Sequence, residues 1–302
     1  MEIMSQTCYN VNNFLIIIGG VGLKEAFKQI SLLRMFFVSL FSCIFLILIS
    51  IGLAKILGAD TNLIAKFLGS LGLYLGPIIV LYRTLHKNNL SMKLWFQPAR
   101  IRIRETLAGA IFPEMLGVGI LLFISILFIS FSALPTDKNL NSSTIDTTYW
   151  VQYFILSCLL APFCEEILFR GFLFEKLQFS YSVKKSIIIT SLVFGLMHGI
   201  SGISPTIVSF VLCVLYKKYH SLIPCIAIHF VHNFLAILLK YLVASASTME
   251  STSNTASPLS PMDIVFIVFL ISIGLIWLIR FIKANWKYTY SNIENETSYE
   301  IV

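Results

Sequence analysis

Charge is what this sequence has least of. Only 12% of its 302 residues are Asp, Glu, Lys or Arg, while 57% are apolar and the mean hydropathy is +0.84. A soluble domain carries roughly a quarter of its residues as charges, so a water-covered globule of this size is excluded. Cysteine chemistry is excluded next. The six cysteines form no CxxC pair; Cys43, Cys158, Cys164, Cys213 and Cys225 lie inside apolar runs, and Cys8 lies in the N-terminal segment. With none in the expected outer loops, no disulfide framework is expected, and neither a redox motif nor a zinc ribbon is supported. HExxH and internal repeats are absent too. The run Phe14 to Leu23 is too short to cross a bilayer, has no basic residue before it and no small-residue cleavage site, which argues against a signal peptide. An interfacial helix over 14–33, with Lys24 and Lys28 on its polar side, is the expectation there. The formal charge of +7 gives no reason to expect nucleic acid; Lys and Arg in cytosolic loops facing anionic headgroups account for it.

What is present in quantity is long apolar sequence. A helix needs ~20 apolar residues to cross ~30 Å of hydrocarbon. On that rule spans are expected at 35–54, 63–82, 107–134, 149–169, 186–199, 203–216, 222–243 and 262–282. The fold class is therefore an all-α polytopic membrane helix bundle of about eight transmembrane helices. Its divisions are a cytosolic or interfacial segment 1–34, a bundle 35–283 and a tail 284–302. All the Lys and Arg residues except Lys55, Lys66, Lys138 and Lys240 fall on one side of this map, which puts both termini in the cytosol. The outer loops 136–148 and 245–261 are Ser/Thr/Asn-rich and nearly uncharged. The sequon at Asn141 reads as chance in such a loop, and the acidic tail end (Glu294, Glu296, Glu300) as a solvated segment.

Ionisable groups inside spans are expensive and mark functional sites. The fourth span carries Glu165, Glu166 and Arg170, the fifth ends at His198, and the seventh carries His229, His232 and Asn233. Glu165 is 11 residues from Lys176, His229 11 from Lys218 and His198 13 from Lys185. At ~1.5 Å per residue all three share one depth below the cytosolic lysines, as a buried active site requires. Glu166 and Arg170 are i,i+4 with the acid first, the favoured order for an ion pair. That pairing leaves Glu165 able to take a proton as a general base. His229 and Asn233 also share a face, whereas His232 points toward a neighbouring helix and reads as structural. The fifth and sixth runs are short and either cross thinly or form a re-entrant pair. Both arrangements set His198, with Gly199 and Gly202, near a polar cavity.

These residues resemble the CAAX protease and bacteriocin-processing family, which includes the type II CAAX prenyl endopeptidases. Its EExxxR motif corresponds to Glu165-Glu166-Ile-Leu-Phe-Arg170, FxxxH to Phe194-Gly-Leu-Met-His198, and HxxxN to His229-Phe-Val-His-Asn233. The ordered set occupies residues 157–235, inside an expected catalytic core at about 149–243. The resemblance implies a glutamate-dependent intramembrane endopeptidase acting on a membrane-associated, prenylated or leader-type peptide. In it Glu165 and His198 activate water, His229 and Asn233 stabilise the oxyanion, and Glu166 with Arg170 supports Glu165. No cofactor is expected. Some relatives carry a metalloprotease label, and a zinc ion here would draw on Glu165, His198 and His229. Two other classes stay open at this point: a non-catalytic bacteriocin-immunity or scaffold protein of the same fold, and a proton-coupled transporter. The partners implied are membrane lipid and a peptide substrate. The Ile/Phe/Lys/Asn-heavy composition and the lack of a retention signal favour a bacterial plasma membrane over the endoplasmic reticulum.

Overall fold

The computed structural model describes residues 22–57, 61–131, 147–249 and 260–289. Cys8, the Asn141 sequon, most of the 245–261 loop and the acidic tail end lie outside the described residues. Among those described, all regular structure is helical. In lipid a spanning segment must satisfy its backbone N–H and C=O groups internally, which long apolar runs achieve by coiling. The helices are α1 (22–28), α2 (Leu32–Leu57), α3 (Thr61–Lys87), α4 (Ile103–Phe131), the compound helix α5 (147–178), α6 (Val183–Leu196), α7 (Ile203–Tyr219), α8 (Leu222–Met249) and α9 (Pro261–Asn285).

Six of them hold segments long and apolar enough to cross a membrane: Leu32–Ile56, Ile64–Lys87, Ile103–Leu127, Trp150–Gln178, Leu222–Leu242 and Pro261–Thr289. The chain is thus a multi-pass membrane protein. The two remaining segments of the expected eight are α6 and α7, of 14 and 17 residues. At ~1.5 Å per residue they reach ~21 and ~26 Å, short of a full hydrocarbon thickness. The fourth span is longer than expected. It runs past residue 169 to Gln178, because Glu166 and Arg170 neutralise one another inside the helix and the charge cluster does not end it.

The chain divides into two compact units. In the first, Met1–Gln97 with Gly171–Ser180, α2 and α3 meet at small residues. A Cβ on Gly72 would press on the backbone of Ser42 and Cys43. The Ser39 and Ser42 hydroxyls donate across the pair to the Leu73 and Gly72 carbonyls at 2.7 and 2.5 Å. Close approach plus interhelical hydrogen bonding is what holds helices together where lipid is as apolar as the side chains. Phe27 of α1 is fully buried among Trp95, Phe172 and Phe179, while Lys24 and Lys28 are exposed.

The second unit comprises Pro98–Arg170 and Tyr181–Val302, and α4 is its central helix. Gly117 lies against Ser204 of α7, Gly119 against Leu270 and Ile271 of α9, and Gly274 of α9 against Leu116. Helix α9 opens with a capping box, Ser260 and Asp263 bonding reciprocally, and with Pro261 in its first turn. Helices α7 and α8 are joined by only His220 and Ser221, and His220 takes the left-handed conformation (φ 48°) that closes α7. Pro224 falls in the first turn of α8, as its position in the sequence suggests.

Candidate active site

Helix α5 is irregular, and the irregularity frames the carboxylates. It begins as Thr147–Phe154, widens to a π-helix over Ile155–Leu160, tightens for Ala161–Glu166, and widens again over Ile167–Phe174. Widened turns of this kind recur at functional sites. In the first, the Ala161 N–H bonds to the Leu156 carbonyl, five residues back. The next residue is Pro162, which has no N–H to offer the Ser157 carbonyl. Asn233 of α8 supplies the missing donor, its Nδ2 lying 2.6 Å from Ser157 O. Asn233 therefore ties α8 to α5 just before the glutamates, with one N–H uncommitted among the described residues.

Glu165, Glu166, Arg170 and His229 are all buried. Glu166 Oε1 accepts from Arg170 Nη1 at 2.7 Å and lies 2.7 Å from His229 Nδ1. Arg170 also donates to the Ser209 carbonyl of α7 at 3.4 Å. The other nitrogen of His229, Nε2, faces Glu165 Oε2 at 3.7 Å. One imidazole thus stands between two adjacent carboxylates. Its Nδ1 proton goes to Glu166, since a carboxylate held by arginine is an acceptor. The sequence pairs Glu166 with Arg170 correctly, but the third partner comes from α8 and no helical spacing announces it.

His198 sits where α6 ends. Gly199 takes φ +64°, and neither Gly195 nor Gly202 has room for a Cβ: Gly202 lies on the Gly195 carbonyl, and Gly195 on the Thr206 hydroxyl. The chain can therefore reverse tightly between α6 and α7, leaving His198 exposed at the bend. Its Nδ1 is 2.7 Å from the Phe194 carbonyl. A carbonyl only accepts, so Nδ1 carries the proton and Nε2 presents a lone pair. Phe194 itself joins the motifs. Its buried ring centroid is 4.7 Å from that of His198, 5.6 Å from His229 and 4.8 Å from Phe169, and Arg170 Cζ sits 4.9 Å over its face.

Glu165, Glu166, Arg170 and His229 thus meet around one imidazole and one guanidinium, Asn233 is tied to α5 at the Ser157 carbonyl, and His198 joins them through Phe194. No three His, Cys, Asp or Glu side chains among the described residues gather as a metal-holding group. Glu165, His198 and His229, the zinc set the sequence offers as an alternative, are not gathered as such a group. His232 is buried and does face another helix: its Nδ1 lies 3.3 Å from Glu114 Oε2 of α4. Glu114 and Ser204 went unnoticed in the sequence. The signal was present, because an acid in the middle of the 107–134 apolar run meets the same criterion that singled out Glu165.

Residues 147–235 match the family model described as Type II CAAX prenyl endopeptidase Rce1-like. Searches of curated proteins and of solved structures each gave no match. The matched range holds all three motifs and every contact just described except those of Glu114. Through residues 147–235 this multi-pass membrane protein is similar to the type II CAAX prenyl endopeptidases of the CAAX protease and bacteriocin-processing family.

Proposed function

We propose that the chain is an intramembrane glutamate-dependent endopeptidase. Its substrate is a membrane-associated peptide of the prenylated C-terminal or leader type. The observation that carries the reading is the 3.7 Å separation of Glu165 Oε2 and His229 Nε2, with Arg170 and Glu166 buried behind them. That gap is too long for a direct hydrogen bond and suits a bridging water. Glu165, whose neighbour Glu166 already has a cation, takes a proton from that water as general base. His198, with its Nε2 lone pair, assists. The water oxygen bonds to the scissile carbonyl carbon, and the carbonyl oxygen becomes an oxyanion. The uncommitted Asn233 N–H is a donor for that oxygen. His229 donates to it as imidazolium, the one form with protons on both nitrogens while Nδ1 serves Glu166. Protonated Glu165 then returns its proton to the amine nitrogen, and the C–N bond breaks.

In this reading α6 and α7 complete eight membrane segments, both termini face the cytosol, and the host membrane is a bacterial plasma membrane. The test is cleavage of prenylated and leader-type peptides in proteoliposomes by the wild type and by Glu165→Gln, which keeps size and hydrogen bonding but cannot accept the proton. Loss of at least ~10³-fold in turnover, about 4 kcal/mol of barrier, with an unchanged melting temperature, is expected. Undiminished turnover by Glu165→Gln would overturn the mechanism. A wild type that cleaves nothing, while Glu165→Gln still protects its host from bacteriocin, would favour the immunity alternative.

A further inference from the structure

We propose that Glu114 is a positioning residue of this site, acting through His232; the proposal rests on the hydrolytic reading above. Glu114 stands within the membrane-crossing part of α4, and its side chain is only 16% exposed. A carboxylate at such a place is costly unless partnered. Its partners are specific. Oε2 accepts a hydrogen bond from the Ser204 hydroxyl of α7 and lies 3.3 Å from His232 Nδ1 of α8. Gly117, one turn along α4, lies directly against Ser204, so the acid reaches α7 because the two backbones meet closely there.

His232 is the link to the proposed chemistry. It lies three residues beyond His229 and immediately before Asn233. Its ring faces Glu114 and the Ala110 backbone on α4, and it interacts electrostatically with His229 of the same helix and with His198 at the end of α6. Among the described residues a further charge acting on Glu114 is Lys240, farther along α8, which donates to the Tyr153 hydroxyl at 3.0 Å. Glu114 is thus a carboxylate beside an imidazole that follows His229 by three residues and directly precedes Asn233. An acid that orients a histidine and fixes its protonation is a recurrent supporting device. Here it steadies α8, the helix that carries His229 and Asn233, by holding the imidazole between them in sequence. It brings a fourth helix into a site that the motifs place on three.

The test compares wild type, Glu114→Gln, Glu114→Asp, His232→Gln and the double variant Glu114→Gln/His232→Gln as full chains in proteoliposomes. Glu114→Gln should lower kcat by roughly tenfold with KM nearly unchanged, and should displace the pH profile of kcat/KM. Glu114→Asp should restore most of the rate, and the double variant should be no worse than His232→Gln alone, as residues acting through one another are not additive. A lowered melting temperature with an undisplaced profile, or additive losses, would show a merely structural acid and overturn the proposal. Ring ¹⁵N resonances of His232 give a readout independent of turnover. They should differ between wild type and Glu114→Gln even if the wild type cleaves nothing, in which case the hydrolytic reading fails while the Glu114–His232 link stands. Identical resonances would overturn that link.

Discussion

His229 Nδ1 and Arg170 Nη1 both lie 2.7 Å from a single oxygen, Oε1 of Glu166. The second glutamate of the pair is thereby the structural hub, joining α5 to itself through arginine and to α8 through histidine. The first is left with its carboxylate turned toward Nε2 of the same ring. Two adjacent acids, alike in sequence, are separated in role by which of them the arginine reaches.

Replacing that hub should be costly. Glu166→Gln leaves Arg170 fully buried with its charge uncompensated, and breaking one side of a buried pair costs roughly 3–5 kcal/mol. Thermal unfolding in detergent should show a large drop in melting temperature for Glu166→Gln. Adding Arg170→Met to that variant should recover part of the loss, since both charges are then gone. No recovery in the double variant would mean that the pair's geometry, rather than its electrostatics, is what matters.

Asn233 should prove partly structural. Asn233→Ala strips the donor from the Ser157 carbonyl, at a cost of about 1–3 kcal/mol for a polar group left without a partner. Pro162→Ala in the same chain restores a backbone N–H where α5 lacks one, so it should return part of the stability. It should return none of the turnover, because the N–H that the proposed mechanism gives to the oxyanion remains missing. Rescue of both, or of neither, would refute this division of labour.

The legible parts of the site are those written within one helix. The i,i+4 spacing of Glu166 and Arg170 and the shared face expected of His229 and Asn233 follow from 3.6 residues per turn, and the first pair closes as the spacing requires. Contacts between helices are a different matter. His229 bonding to Glu166, and Asn233 to Ser157 O, depend on the packing of α8 against a helix widened by π turns, and a period of 3.6 cannot register those turns. Pro162 was the available hint. The positions of the helices were legible because apolar runs are long, but the reach of α5 to Gln178 was not, since a charge cluster that neutralises itself looks from sequence like an end. Glu114 was overlooked for want of a motif around it.

The helix that carries Glu114 is fixed at its start by a contact with its own pH signature. Lys218 of α7 lies 2.5 Å from Glu105 Oε1 of α4, and the Tyr219 hydroxyl donates to Oε2 at 2.6 Å. Burial pulls the Lys218 ammonium down, but its bonds to Glu105 and Tyr219 outweigh that, and the net direction is above the ordinary 10.5. Burial pushes the Tyr219 phenol up and Glu105 adds to it, against the opposing pull of Lys218, so it too lies above its ordinary 10.0. In the unfolded chain both groups release protons near those ordinary values, while the folded protein keeps them to higher pH. Their contribution is therefore complete below pH 10.0 and is lost as pH climbs through the raised folded values. Glu105→Gln should lower stability at neutral pH by no more than about 1 kcal/mol, because the pair is partly solvated and screened by salt. Its melting temperature should also fall less steeply than that of the wild type above pH 10.5. Parallel curves through the alkaline range would mean that Glu105 does not hold these two protons.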